Sequence, residues 1–231
     1  MGLRLTDQSR HAETAAFTST RVSHTGPGED TSAKRALDIL IAGTALIALL
    51  PLLASFALFI RMQDGGKAVF WQKRYGRNGR TFNCFKLRSM VLDAGERLEE
   101  ILRTDPDARA EWEATQKLTN DPRITPLGHF IRKTSIDELP QLVNVLRGEM
   151  SIVGPRPIVE NEIAKYCEYY RHYCSVRPGL TGLWQVEGRS DTTYAERVAL
   201  DAQYARTRTF WGDIGIMLRT IPAVLFSRGA R

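Results

Sequence analysis

Cysteine and histidine are scarce in this sequence, and their scarcity argues against two common kinds of small protein. The 231 residues include three cysteines and four histidines, and no Cys-x-x-Cys spacing occurs. An odd number of widely spaced cysteines argues against a disulfide framework and against a structural zinc site. We therefore expect Cys84, Cys167 and Cys174 to be free thiols.

The overall composition is that of a folded protein with a basic surface. Hydrophobic residues make up 43% of the chain and charged residues 25%, and the formal net charge is +6. The length suits one ordinary domain with an appendage. A basic balance suits nucleic acid, anionic lipid or phosphate-bearing substrates, and charge alone does not choose among them.

One apolar segment, residues 36–60, is the strongest feature of the sequence. Its 25 residues are long enough to cross a bilayer, since roughly 20 apolar residues suffice. Lys34 and Arg35 precede it and further basic residues follow it, which by the positive-inside rule places both ends in the cytoplasm. A re-entrant helix broken at Leu50-Pro51 satisfies this rule, and a plain spanning helix is the alternative.

The chain divides into three regions. Residues 1–33 are rich in Ser, Thr, Gly and charge and are predicted to be a disordered extension. Residues 34–62 form the membrane helix, and residues 63–231 form the remaining domain.

That domain reads as a β-hairpin followed by helices. Residues 68–72 and 81–85 are strand-like, and 76–79 form a turn with an Asn-Gly pair. Helical patterns follow at 91–117, 127–134, 137–147, 158–174, 192–208 and 210–226. The tyrosines of 158–174 suit either a membrane interface or a packed core, and the last helix could lie in the interface plane.

Two adjacent carboxylates, Asp137 and Glu138, stand where a helix is predicted to begin. Helix starts attract phosphate, and a carboxylate there can hold a divalent cation or attack phosphorus. Ser135-x-x-Glu138 also has the pattern of an ordinary capping box. These residues alone leave both interpretations open.

Two further loops combine rigid backbone with arginine. Pro155-Arg156-Pro157 restricts the backbone around a guanidinium that could bind a phosphate or stand in a rigid surface turn. The segment from Arg177 to Arg189 adds glycines for tight backbone and arginines for anions.

In this order, the hydrophobic helix, the basic hairpin and the segments Ser-x-Asp-Glu-Leu-Pro-Gln, Gly-Pro-Arg-Pro and Arg-Pro-Gly-x-Thr-Gly resemble the bacterial sugar transferases. These are monotopic polyprenyl-phosphate phosphoglycosyl transferases. The resemblance runs from about Lys34 to Phe226, and Asp121-Pro122-Arg123-Ile124-Thr125 also matches. The Trp112 region, Gly182-Leu183-Trp184-Gln185 and Ile221-Pro222-Ala223-Val224 are similar to exopolysaccharide-initiating undecaprenyl-phosphate galactose phosphotransferases.

The resemblance implies a fold and a reaction. The fold is an α-rich α+β domain, with a re-entrant membrane helix, a β-hairpin and amphipathic interfacial helices around a small catalytic domain. The enzyme transfers a hexose-1-phosphate from a UDP-sugar, UDP-galactose before UDP-glucose, to polyprenyl phosphate and releases UMP. It works with Mg²⁺ at the cytoplasmic face of the bacterial inner membrane, among membrane lipids. Nucleic acid is not an expected partner, and a homodimer is left open.

The resemblance also implies roles for individual residues. Asp137 corresponds to the nucleophile and a metal ligand, and Glu138 to its acidic partner. The substrate-binding positions are Lys86, Arg88, Arg132, Pro155, Arg156, Pro157, Arg177 and Arg189. Two other classes compete with this enzyme: a membrane-tethered interaction protein, and a metal-dependent phosphodiesterase or nuclease that would need more Asp, Glu or His ligands.

Overall fold

The computed structural model describes residues 31–115, 117–187 and 192–225, and it is helix-rich with two small sheets. The first half of the fold contains α1 (Ser32–Asp64), β1 (Val69–Tyr75), β2 (Thr81–Leu87), α2 (Ala94–Thr104), α3 (Pro106–Thr115), α4 (Pro126–Lys133) and α5 (Gln141–Arg147). The second half contains β3 (Ser151–Val153), α6 (Glu160–Tyr166), α7 (Tyr170–Cys174), β4 (Gly179–Thr181), α8 (Leu183–Glu187), α9 (Tyr194–Thr207) and α10 (Phe210–Leu225). The predicted α-rich α+β class is confirmed for this part of the chain.

Helix α1 is longer than predicted and is not interrupted. The Thr31 side chain caps its start by accepting from the Lys34 N–H, and Gly65, at φ 74°, ends it. The predicted extension 1–33 therefore overlaps the helix, and its residues 1–30 lie outside the described part. The backbone stays helical through Pro51, and the predicted membrane break at Leu50-Pro51 stays a prediction. A proline removes one backbone donor, and the turns on either side keep theirs.

Helix α1 is long and apolar enough to cross a membrane, judged by length and composition. Only 11% of its most apolar window is buried in the protein. Residues near both ends of α1 nevertheless pack against the rest of the fold. Ala42 belongs to a core cluster with residues of α5 and β3. Ile60 belongs to a second cluster with Leu87 and Ile131.

The β-hairpin forms as predicted, with longer strands. β1 and β2 pair antiparallel from Val69↔Leu87 to Tyr75↔Thr81. Asn78 and Gly79 both have positive φ in the connecting turn, which is the conformation that an Asn-Gly pair favours.

Prolines divide two of the predicted helices. The region 91–117 contains α2 and α3, and Pro106 begins the second. The region 137–147 contains a 3₁₀ turn, Ile136–Glu138, and then α5, with Pro140 between them. A proline is favoured at the start of a helix, which is consistent with the positions of Pro106 and Pro140 at the two divisions.

A small parallel sheet, which the sequence patterns did not predict, lies at the centre of the domain. Ser151 pairs with Gly179, and Val153 with Thr181. A Cβ on Gly154 or Gly179 would collide with backbone of the other segment, so both positions require glycine. Tyr166 and Tyr173 are each 1% exposed, which confirms the core interpretation for these two tyrosines.

Candidate active site

Asp137 lies in the short 3₁₀ turn before α5, directly after a residue with unusual backbone. Ser135 has φ 56°, in the left-handed region that few non-glycine residues adopt. Among the described residues, the Ser135 side chain makes no capping hydrogen bond, and the Glu138 carboxylate accepts from Lys86. The capping-box interpretation is therefore wrong for this turn, because Ser135 does not cap it and Glu138 bonds to Lys86 instead.

Lys86 joins the two carboxylates. Its Nζ lies 2.8 Å from Glu138 Oε1 and 3.8 Å from Asp137 Oδ2. Strand β2 presents Lys86 towards the 3₁₀ turn because Asn144 of α5 bonds to the same strand, donating to the Asn83 carbonyl and accepting from the Phe85 N–H. The site is thus held by the packing of the hairpin on α5.

Burial and charge act on the two carboxyl groups with different net results. Burial raises the pKa of Asp137 above its ordinary value; Lys86 opposes this, and Glu138 adds to it. Burial also acts to raise the pKa of Glu138, but Arg156 and Lys86 outweigh it and lower that pKa to about 2. Glu138 is therefore ionised at neutral pH, and Asp137 is the more easily protonated of the two carboxyl groups.

The Arg156 loop closes the site from the other side. The Pro155 carbonyl accepts from the Gly179 N–H at 2.8 Å, and the Pro157 carbonyl accepts from Arg74 Nη1 at 3.0 Å. Both prolines are buried, whereas 36% of the Arg156 side chain is exposed. Its Nη2 lies 3.8 Å from Glu138 Oε1. A rigid backbone thus presents a partly free guanidinium beside the carboxylates.

A pocket opens where these elements meet. Three cations line it, from Arg74, Lys86 and Arg156, together with the Glu138 carboxylate and the side chains of Gln141 and Gln185. Excess positive charge in a concave site suits a diphosphate, whose oxygens accept hydrogen bonds from arginine and lysine. Pro157 also contributes to the lining, and Pro155 does not. The substrate-binding role predicted for this loop stays a prediction.

Sequence reasoning did not assign Arg74, Gln141 or Gln185 to the site. A signal for Arg74 exists in the hairpin: Arg74 pairs with Phe82, two strand positions from Cys84 and four from Lys86. Because side chains alternate along a strand and directly paired residues share a face, Arg74 and Lys86 point to the same side. Gln141 and Gln185 carry no comparable signal.

Three predicted substrate-binding arginines lie away from the pocket, and a fourth falls outside the described residues. Arg88 pairs with Asp64 at the end of α1, and Arg177 Nε donates to the Gly148 carbonyl. Arg132 is exposed, and its charge lowers the pKa of Asp137. Arg189 lies outside the residues that the structure describes. Arg88, Arg132 and Arg177 do not line the pocket. The substrate-binding roles of all four arginines stay predictions.

The carboxylates suit a magnesium ion that arrives with its substrate. In the described ranges, no group of three or more His, Cys, Asp or Glu side chains could hold a metal ion. Mg²⁺ commonly uses one or two carboxylates, several waters and substrate phosphates. Asp137, next to Glu138 at the pocket, fits that pattern.

Comparison with known proteins decides the family. The pattern of the family described as bacterial sugar transferase matches residues 29–227. This chain belongs to the bacterial sugar transferase family. The sequence-based resemblance is confirmed, and the match includes every residue of the pocket.

Three relatives of this sugar transferase indicate its place within the family. It is 52% identical over 197 residues to the UDP-galactose-lipid carrier transferase of Erwinia amylovora, covering 85% of this chain and 41% of the relative. It is 50% identical over 197 residues to the undecaprenyl-phosphate galactose phosphotransferase of Salmonella typhimurium, covering 85% and 41%. It is 49% identical over 198 residues to the exopolysaccharide production protein ExoY of Rhizobium meliloti, covering 86% and 88%.

The sugar transferase thus spans about two fifths of the length of two of these relatives and most of the third. The family match contains the apolar helix α1, the hairpin and the Asp137 turn.

Proposed function

We propose that this sugar transferase moves a hexose-1-phosphate from a UDP-sugar to undecaprenyl phosphate, as an initiating step in exopolysaccharide synthesis. One observation carries the proposal: a buried aspartate stands beside a pocket that three cations line. The names of the relatives supply the acceptor and the sugar class, and galactose in two of them makes UDP-galactose the first choice and UDP-glucose the second.

The reaction would run in two displacements at the same phosphorus. An Asp137 carboxylate oxygen attacks the β-phosphorus of the UDP-sugar and forms an aspartyl–phosphosugar bond. The bond from the β-phosphorus to the bridging oxygen breaks, and UMP leaves with the bonding electrons. The acceptor phosphate then attacks that phosphorus and releases the Asp137 carboxylate. A covalent step lets UMP leave before the acceptor arrives, so two highly anionic phosphates need not share the pocket.

The surrounding residues would bind and orient the donor. Arg74, Lys86 and Arg156 line the pocket where the diphosphate would lie, and the planar fork of arginine matches phosphate oxygens. Glu138 keeps Lys86 in place through the 2.8 Å contact. A bound magnesium ion would supply charge neutralisation at the diphosphate and the leaving group, and Asp137 would contribute a ligand to it.

The contacts of α1 support a membrane-bound enzyme with both helix ends on the side of the catalytic domain. Arg35 donates to the Val145 and Leu146 carbonyls near the helix start, and Arg88 donates to the Ile60 carbonyl near its end. The faces between are apolar and exposed. We place this domain at the cytoplasmic face of the inner membrane, where UDP-sugars are available.

The decisive experiment measures UMP release from a panel of UDP-sugars, with and without undecaprenyl phosphate. Asp137→Asn should reduce turnover by roughly a thousandfold or more, because an amide is a poor nucleophile, and should abolish a trappable phosphosugar adduct. The variant should stay folded and membrane-bound. Substantial transfer by Asp137→Asn would disprove the covalent mechanism, and hydrolysis that ignores the lipid acceptor would favour the phosphodiesterase class.

A further inference from the structure

The Glu162 side chain joins three separate parts of the domain just behind the pocket. Its Oε2 accepts from the Val159 N–H at 2.9 Å and lies 3.7 Å from Arg74 Nη1. Its Oε1 lies 3.5 Å from Arg197 Nη1. One-fifth of the side chain is exposed, and it is not among the residues that line the pocket. The carboxylate therefore connects the segment after the Arg156 loop to the hairpin and to α9.

Arg74 needs a counter-charge at this position. Its side chain is largely buried, and burial followed by the positive charge of Arg156 lowers its pKa. Two guanidinium groups that face one pocket repel each other in the absence of substrate. Glu162 supplies a negative charge to Arg74 without entering the pocket, so the pocket keeps its positive charge for a ligand.

Glu162 and Arg74 also hold the Arg156 loop in place. Arg74 donates to the Pro157 carbonyl, and the Val159 N–H, two residues on, donates to Glu162. The backbone after Arg156 is therefore fixed at two points by one ion pair. Movement of either partner would move the guanidinium of Arg156 relative to Glu138.

Glu162 is itself held from the side of α9. The Arg197 guanidinium lies 5.2 Å from the centre of the Trp184 ring and 5.1 Å from that of Tyr194. A guanidinium that contacts two aromatic rings is restricted more than one held by a single ion pair. The result is a rigid series, Arg197 to Glu162 to Arg74, that ends at the pocket wall.

We propose that Glu162 is a positioning residue for the donor: it orients Arg74 and the Arg156 loop towards the diphosphate of a bound UDP-sugar without touching it. This rests on the proposed function. It predicts an effect on donor binding that is separate from any effect on acceptor binding or on folding.

The test compares Glu162→Gln with Glu196→Gln in the full-length membrane protein. Glutamine keeps an oxygen that can accept from Val159 and removes the charge that faces Arg74. Glu196 occupies the same third position of its helix, where it accepts from the Thr193 N–H at 2.7 Å, but it is exposed on α9. The pair thus separates the charge at the pocket from the capping role.

We expect Glu162→Gln to raise the KM for the UDP-sugar about tenfold and to leave the KM for undecaprenyl phosphate unchanged. The dissociation constant for UDP, measured by titration calorimetry, should rise by a similar factor. Glu162→Asp, which retains the charge, should recover part of both losses, and Glu196→Gln should match the wild type.

The inference is overturned if Glu162→Gln and Glu196→Gln have the same UDP affinity and donor KM. It is also overturned if Glu162→Gln and Glu162→Asp merely lower the melting temperature while donor and acceptor constants change together. A wild-type protein that neither binds UDP nor releases UMP would instead refute the proposed function. That result is distinguishable, because it appears before any variant is compared.

Discussion

At the scale of single residues, Asp137 and Glu138 show how one site gives adjacent carboxyl groups different properties. The Lys86 ammonium group is 1.0 Å closer to Glu138 than to Asp137, and Arg156 also approaches Glu138. Asp137 is buried with the weaker share of these charges, so its pKa is raised while that of Glu138 falls to about 2. Asp137, the proposed nucleophile, and Glu138, which pairs with the two cations, thus differ in pKa because of their positions.

These shifts have opposite consequences for stability. A folded-state pKa above the unfolded value means that the stabilising form of Asp137 is the protonated one, and this stabilisation is lost as pH rises through its folded pKa. Glu138 contributes stability above its ordinary pKa of 4.5, and that contribution is lost as pH falls towards 2.

We therefore expect Asp137→Asn to raise the melting temperature at pH 7, in magnesium-free buffer, because it removes the cost of a buried charge. Glu138→Gln should instead lower the free energy of unfolding by on the order of 2 kcal/mol, after allowance for its partial exposure. Thermal unfolding of both variants at pH 7 and pH 4 checks this, and the Glu138→Gln deficit should shrink at pH 4. Equal losses of stability at pH 7 would contradict the assignment.

The charged residues of the candidate site could be predicted from the sequence. The residues that hold them in place through contacts between distant segments could not. Lys86, Glu138 and Arg156 were identified from the sequence and line the pocket. Asp137, also identified, lies 3.8 Å from Lys86. Glu162 was not identified, since its role depends on a contact with a residue 88 positions earlier that no local pattern encodes. Arg88 was assigned to substrate binding from the family resemblance. Its contact with Asp64 is visible only in the folded structure, where the end of α1 lies beside β2.

At the scale of elements, the start of α1 is fixed to β3 by buried polar contacts. Asp38 accepts from the Ser151 hydroxyl at 3.1 Å and from the Ile152 N–H at 3.0 Å. Lys34 Nζ lies 2.6 Å from Asp213 Oδ2 and donates to the Val153 carbonyl. Since β3 leads directly into the Arg156 loop, the membrane helix helps to fix the position of that loop.

Lys34→Met should lower the free energy of unfolding by about 3 kcal/mol, because it removes the positive charge that pairs with the buried Asp213 carboxylate. Lys34 and Asp213 side chains are 10% and 4% exposed. Arg103→Met, in an exposed pair with Glu100, should cost no more than about 0.5 kcal/mol. Adding Asp213→Asn to Lys34→Met should recover part of the loss, because it removes the unpaired charge. Denaturant unfolding in detergent gives the free energy of unfolding of the wild type and the three variants.

The sequence predicted those elements that have a local signal of their own, and it missed the short strands that lack one. The hairpin, α4, α9 and α10 agree closely with their predicted ranges, since each has a turn, cap or apolar stripe of its own. β3 and β4 are three residues each and are held by pairing between distant segments, so local pattern could not identify them. Pro51 lies inside α1 without ending it, and its role as the membrane break stays a prediction.

At the scale of the whole molecule, the distribution of contacts along α1 favours the proposed re-entrant topology over a plain spanning helix. Polar contacts anchor residues 34–38 to α5, β3 and α10, and Arg88 holds Asp64 at the far end. Between these anchors, Ile47 and Leu58 are exposed, as is Met62 just before Asp64. A plain spanning helix would place one anchor on the opposite side of the bilayer from its partner, and those buried polar groups would then be unpaired.

We therefore expect both ends of α1 to be accessible from the cytoplasm. Single cysteines at the exposed positions Ser32 and Gln63 test this, in a background where Cys84, Cys167 and Cys174 are replaced. A protein that retains Cys167 alone provides the control, because this exposed thiol reports the side of the catalytic domain. A membrane-impermeant thiol reagent should label all three proteins in inside-out vesicles and none in intact spheroplasts. Labelling of Ser32→Cys alone in spheroplasts would establish a spanning helix, and the contacts of Lys34 and Asp38 with the catalytic domain would then have to be absent in the membrane.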